Sequence, residues 1–246
     1  MNQEAGRAGR GLPKNINKDN NTMIGMIDII IDGQKIAAFP GEKLLFTALR
    51  HKIYIPHLCA AEEAKHQEAA CRLCFVEIEG VSSPVTACTQ SVVAGMIVRT
   101  RSPAVDRLVR TAFELLLSAH RLGCGECAKN TNCALQEIAA ARGLKLQLKR
   151  LKSLPVDELP RDESPGSFAF DPSRCVLCGR CVRADRSRAR GAGGVSGTPG
   201  AIGFAGRGLR RRITTFADHP IAQSPCTECG ACVEACPVGA LYWTSI

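Results

Sequence analysis

Apolar residues first become periodic at Ile27. Ile27, Ile29 and Ile31 share one parity, Asp32-Gly33 follows, and Lys35 to Phe39 carries a second alternating run. Strand side chains alternate between faces and glycine supports the positive φ of a tight turn, so the pattern predicts a β-hairpin. Lys43 to His51 then sets Leu44, Leu45, Ala48 and Leu49 at helical spacing, and an extended run from Ile53 leads to Cys59. Further short strands are expected at Cys74 to Glu79 and Met96 to Thr100. Two strands, a helix and more strands around a cysteine-bearing loop suggest a small α+β roll of the ubiquitin-like kind.

A second helix is predicted from Ser102, a plausible N-cap, with Pro103 in the first turn where its missing N–H costs nothing. Val105, Leu108, Val109, Ala112, Phe113 and Leu116 would share its apolar face, and it should end near His120. Pro155, Pro160, Pro165 and Pro172 with acidic residues between them mark 153–172 as a linker. The expected organisation is a disordered basic tail over 1–23, domains over 24–101 and 102–152, the linker, and a last domain over 173–246.

Stretches of roughly 50 to 80 residues rarely build a sufficient core without a metal, disulfides or a partner. Aromatic residues are few, with one Trp, two Tyr and eight Phe in 246 residues. There is no run of about 18 apolar residues, and the polar start lacks the apolar middle of a secretory signal. A cytoplasmic chain without direct membrane insertion is expected. The net charge of +9 raises nucleic acid or anionic lipid as partners. Much of that excess lies in the tail and between Arg183 and Arg212, where Phe204 alone could stack on a base, so no nucleic acid partner is expected.

The fourteen cysteines change the picture most. In an unexported chain, dense C-x2-C spacing favours metal over disulfides. Cys59, Cys71, Cys74 and Cys88 form a four-thiolate group suited to a 2Fe-2S cluster, with structural zinc as the alternative. His120, Cys124, Cys127 and Cys133 form an H-x3-C-x2-C-x5-C group at the expected helix end. Exchanging one thiolate for a neutral imidazole removes negative charge, which raises potential in known His-ligated clusters. His57 and His66 fit no ligand spacing and are taken as surface residues.

The last domain holds Cys175, Cys178 and Cys181, then Cys226, Cys229, Cys232 and Cys236 in the full C-x2-C-x2-C-x3-C-P run. In two-cluster ferredoxins the fourth cysteine of each run ligates the other cluster, so Cys236 should complete the first trio. The matching position for Cys226, Cys229 and Cys232 is Asp185. A carboxylate is a harder ligand than thiolate, which leaves Asp185 ligation, a three-iron cluster, an external ligand or poor assembly open. Residues 186–212, rich in Arg and Gly, resist a physical account. No dinucleotide, P-loop, hydrolase or zincin motif occurs, and no substrate site is visible.

The order of these groups resembles the N-terminal part of the large iron-sulfur subunit of respiratory complex I, over roughly residues 25 to 243. Similar modules open iron-only hydrogenases and NAD-linked formate dehydrogenases, and make up the small diaphorase subunit of bidirectional NAD-linked nickel-iron hydrogenases. With ten residues after Cys236, the diaphorase subunit is the better likeness, and ACRLCFVEIEG, CVLCGRCVRA and CTECGACVEACPVGAL look like it. The resemblance implies an α+β chain with a ubiquitin-like 2Fe-2S ferredoxin domain, a small helical domain with a one-His, three-Cys site, and a bacterial-type ferredoxin domain. It implies one 2Fe-2S cluster, two 4Fe-4S clusters and a possible third 4Fe-4S or 3Fe-4S cluster. The implied partners are a flavoprotein subunit binding FMN and NAD, and nickel-iron hydrogenase subunits. Asp185 departs from the family pattern, where cysteine is common.

Overall fold

The computed structural model describes residues 25–64, 66–154, 159–191 and 200–244, so the expected tail over 1–23 lies outside it. The hairpin forms as its alternation predicts: β1 (Ile27–Ile31) pairs antiparallel with β2 (Gln34–Ala38). Asp32 (φ 50) and Gly33 (φ 81) both take the left-handed conformation that suits a two-residue hairpin turn. Ile29, Ile31, Ile36 and Ala38 turn to one buried face, onto which α1 (Leu44–Arg50) lays Leu44, Leu45 and Ala48.

Three short strands complete the sheet: β3 (Phe75–Ile78), β4 (Val85–Thr86) and β5 (Ile97–Arg99). The order is β2-β1-β5-β3-β4, with β5 parallel to β1 and the other neighbours antiparallel. Strand β4, two residues long, has too little pattern to be read from sequence. The loop from Ile53 to Cys74 leaves this sheet and carries Leu58, Cys59, Cys71 and Leu73 into a second core.

Helix α2 (Pro103–Ser118) starts where Ser102 predicts it, with the Ser102 hydroxyl accepting from the Val105 N–H at 3.2 Å. Its buried face holds Val105, Val109, Ala112, Phe113 and Leu117. Leu117, not Leu116, continues the buried stripe, because 3.6-residue periodicity carries the face one position on by the fourth turn. Helix α3 (Ala134–Arg142) closes on Gly143 at φ 63. The buried Arg142 fastens it to the start of α2, reaching Asp106 at 3.0 Å and the Thr100 carbonyl at 3.1 Å.

The C-terminal part comprises β6 (Phe168–Phe170), α4 (Arg180–Gly191), β7 (Gly203–Ala205), β8 (Arg212–Thr214), α5 (Ala231–Ala235) and β9 (Leu241–Trp243). β6 pairs antiparallel with β9 and β7 with β8, while α4 packs on α5. Each cysteine run thus leads into a short helix, and a strand stands at either end. β6 lies inside the stretch read as a linker, and the backbones of Asp162 and Phe170 exchange hydrogen bonds at 2.9 and 2.8 Å. α2, α3, β6, β9 and both cysteine runs share one apolar core around Phe113 and Phe168. Full burial of each such ring contributes roughly 1.5–3 kcal/mol. The Arg- and Gly-rich stretch contributes the end of α4 and the β7–β8 hairpin, where Arg211 stacks 4.0 Å over the Phe204 ring.

Candidate metal centres

Cys59, Cys71, Cys74 and Cys88 come together with exposures of 1, 5, 1 and 0%. The Cys59 thiol donates to Cys71 Sγ at 3.5 Å, and the Cys71 N–H also points to Cys59 Sγ at 3.5 Å. That thiol contact pushes Cys59 up and draws Cys71 down to about 6. A matching contact raises Cys74 and lowers Cys88. Arg72 sits at φ 54 between two of the ligands, a strained conformation for a side chain of its size. His66 is exposed, and His57 Nδ1 lies 2.9 Å from the Ile55 carbonyl, so neither joins the group.

His120, Cys124, Cys127 and Cys133 line one small cavity together with Arg174 and Gly239. Burial lowers the His120 pKa and so favours the neutral ring, against a backbone hydrogen bond with Arg174 that favours the protonated one. Its Nδ1 is buried with no hydrogen-bond partner. A metal-bound histidine characteristically turns one ring nitrogen to the metal, and the unpartnered Nδ1, buried in a cavity lined by three thiols, suits that role. Gly239 closes the cavity from the far end of the chain, and a Cβ there would overlap Cys127 Sγ.

Cys236 stands with Cys175, Cys178 and Cys181, as the crossover spacing predicts: it raises the thiol pKa of all three. Burial is the larger cause, lifting Cys175 to about 12 and Cys178 to about 11. The second trio gathers with Asp185. Burial, then Cys226 and then Asp185 push Cys232 up to about 12, and Asp185 also raises Cys226. Asp185, on α4, is half-buried, its own pKa raised by that burial, and its Oδ2 accepts from the Ile202 N–H at 3.3 Å. Gly200 leaves room for this carboxylate, since a Cβ there would overlap it.

The two runs also repeat one local geometry. Leu177 (φ 52) directs its N–H to Cys175 Sγ and Glu228 (φ 51) directs its N–H to Cys226 Sγ, both at 3.4 Å. A non-glycine residue held there costs on the order of 1–3 kcal/mol, and in both loops the return is an amide aimed at sulfur. Four buried thiols in the first group, Cys178, Cys181 and Cys236 buried beside half-buried Cys175, an imidazole nitrogen without a partner and glycine cradles fit iron-sulfur clusters. Sequence reading missed Arg174 and Arg183, which carry no ligand-type signal. Arg183 Nη2 donates to the Cys59 carbonyl at 2.9 Å, and Cys71 lies near enough to raise the Cys178 thiol. Among the described residues no helix is long and apolar enough to cross a membrane.

Three family matches fall on these groups. Residues 25–103 match a 2Fe-2S iron-sulfur cluster binding domain, 110–147 the NADH-ubiquinone oxidoreductase-G iron-sulfur binding region, and 220–242 a 4Fe-4S binding domain. The NADP-reducing hydrogenase subunit HndD of Solidesulfovibrio fructosivorans is 32% identical over 89% of this chain and 36% of its own length. The NADPH-Fe(3+) oxidoreductase subunit alpha of Geobacter sulfurreducens is 34% identical over 88% of this chain and 24% of its own. A G-type NADH-quinone oxidoreductase subunit of Rhizobium meliloti is 33% identical over the same shares. The chain therefore spans about a quarter to a third of these relatives. Among solved structures, a chain of an NAD+-reducing [NiFe]-hydrogenase in the H2-reduced state superposes with a TM-score of 0.76. It is 29% identical and is matched over 88% of its length and 89% of this chain.

Proposed function

We infer, from homology to the iron-sulfur subunits of NAD(P)-linked hydrogenases and NADH-quinone oxidoreductases, that this chain relays single electrons between an NAD(H)-reactive flavoprotein and a hydrogenase module. The observation that carries the reading is the closeness of donor groups: Arg183 of the third group's helix reaches the Cys59 backbone, and Cys59, Cys71, Cys178 and Cys181 share one core. A chain built only for structural zinc has no need to abut its sites. Iron-sulfur clusters, when bound, supply one-electron centres whose potentials follow ligand type, charge and burial.

In this assignment Cys59, Cys71, Cys74 and Cys88 hold a 2Fe-2S cluster within a ubiquitin-like domain. His120, Cys124, Cys127 and Cys133 hold one 4Fe-4S cluster, and Cys175, Cys178, Cys181 and Cys236 another. Cys226, Cys229 and Cys232, with Asp185 as the hard fourth donor, hold a third cluster of four or three irons. The protein's own work is to position the thiols, most of them buried or half-buried, aim amides at their sulfurs and bring the groups together. It contributes no substrate site; the flavoprotein, binding FMN and NAD, exchanges electron pairs that this chain passes on singly. Thiolates kept for iron instead of paired in disulfides suit a reducing cytoplasm.

Affinity purification of the tagged chain from its native cells tests the partner assignment. A flavoprotein and a pair of nickel-iron subunits should accompany it. Recovery with quinone-linked membrane subunits would replace this reading with a complex I role, and recovery with a molybdopterin subunit with a formate dehydrogenase role.

A further inference from the structure

One residue before Cys175, and against the His120 group, lies a buried charge that serves as no ligand. Arg174 is 5% exposed. Its Nε faces Asp171 Oδ2 at 3.3 Å, while its Nη1 donates to the Gly123 carbonyl at 3.2 Å. Gly123 leads directly into Cys124, and Arg174 Cδ lies 3.7 Å from the position a Cβ on Gly239 would take, beside Cys127. The side chain thus reaches the loop of one donor group while its backbone enters another. Arg174 and His120 line the same small cavity.

Asp171 is equally buried and is held by the Ser173 N–H at 3.0 Å and the Ser173 hydroxyl at 2.5 Å, with Arg161 3.5 Å away. Taking a guanidinium out of water is unfavourable, and a single carboxylate offsets that only in part. Packing alone would be met by an apolar side chain. A fixed cation is required where negative charge is to be stabilised, and each one-electron reduction of either neighbouring cluster adds one negative charge. The guanidinium is buried, so its attraction for that charge is strong and weakly screened by salt.

We propose that Arg174 is a positioning residue that raises the reduction potentials of the His120-group and Cys175-group clusters relative to the 2Fe-2S cluster, with Asp171 setting the opposing limit. This rests on the cluster assignment above. The test is an anaerobic dithionite titration of the full chain, loaded with iron and sulfide and followed by electron spin resonance. Arg174→Gln should lower the midpoint potentials of both 4Fe-4S signals, Asp171→Asn should raise them, and Arg174→Lys should stay near wild type. The 2Fe-2S signal should not move in any of them. Shifts of the same sign in the Gln and Asn variants, or no shift at full signal intensity, would overturn the proposal. Should Arg174→Gln lose its clusters, Asp171→Asn decides by sign alone: a rise supports the proposal, and no change or a fall overturns it. Absence of both signals from the wild-type chain would instead remove the cluster assignment.

Discussion

The Arg183 guanidinium donates to the carbonyl oxygen of Cys59 at 2.9 Å, joining residues 124 positions apart. Arg183 stands two residues after Cys181, and Cys59 opens the four-thiol group. The bond therefore fixes the first domain to the ferredoxin helix at the point where their donor groups approach.

Arg183→Ala should weaken that junction by about 1.5–3 kcal/mol, the usual worth of a hydrogen bond from a charged donor. Chemical denaturation followed by visible circular dichroism should show the 2Fe-2S signal lost at lower denaturant, with Arg183→Lys intermediate. An unchanged midpoint would mean that the contact carries no load.

His120 has an isolated Nδ1 in a cavity shared with three thiols. His120→Ala should remove iron from that site alone. His120→Cys should keep the iron but lower the midpoint potential of its signal, because a thiolate adds negative charge to the ligand shell. Equal iron content in wild type and the alanine variant would exclude His120 as a ligand.

Asp185 gathers with Cys226 and Cys232 where the ferredoxin pattern places a cysteine. Asp185→Cys should make the outermost cluster less labile, seen as slower iron loss to a chelator and a higher iron content per chain. Identical loss rates would place the carboxylate outside the coordination sphere.

Gly239→Ala tests the cradle around Cys127. Because the new Cβ meets sulfur, the variant should lose the His120-group signal while the 2Fe-2S signal persists, at an overpacking cost of roughly 1–3 kcal/mol. Retention of both signals would show that the loop yields freely.

Local chemistry was legible where it repeats in short windows. The Ile27–Ile31 alternation, the Asp32-Gly33 turn and the Ser102-Pro103 helix start each rest on neighbouring residues, and each appears in the fold. Cysteine spacing likewise led to the four groups and to the meeting of Cys236 with the first trio. What escaped was non-local. β6 lies among prolines that read as linker, yet Phe168 is buried because β9, more than seventy residues on, pairs with it. Helix α3 is anchored by Arg142 to Asp106 and Thr100, contacts with no signature in its own nine residues. Arg174 and Arg183 read as two of many arginines until the fold buried one and aimed the other at Cys59.

The most direct test of an iron-sulfur relay is metal and acid-labile sulfide analysis of the anaerobically purified chain, paired with low-temperature electron spin resonance of the reduced protein. The account predicts iron and sulfide in comparable amounts, with a 2Fe-2S signal and at least two 4Fe-4S signals. Zinc without sulfide, and no resonance after reconstitution, would contradict it.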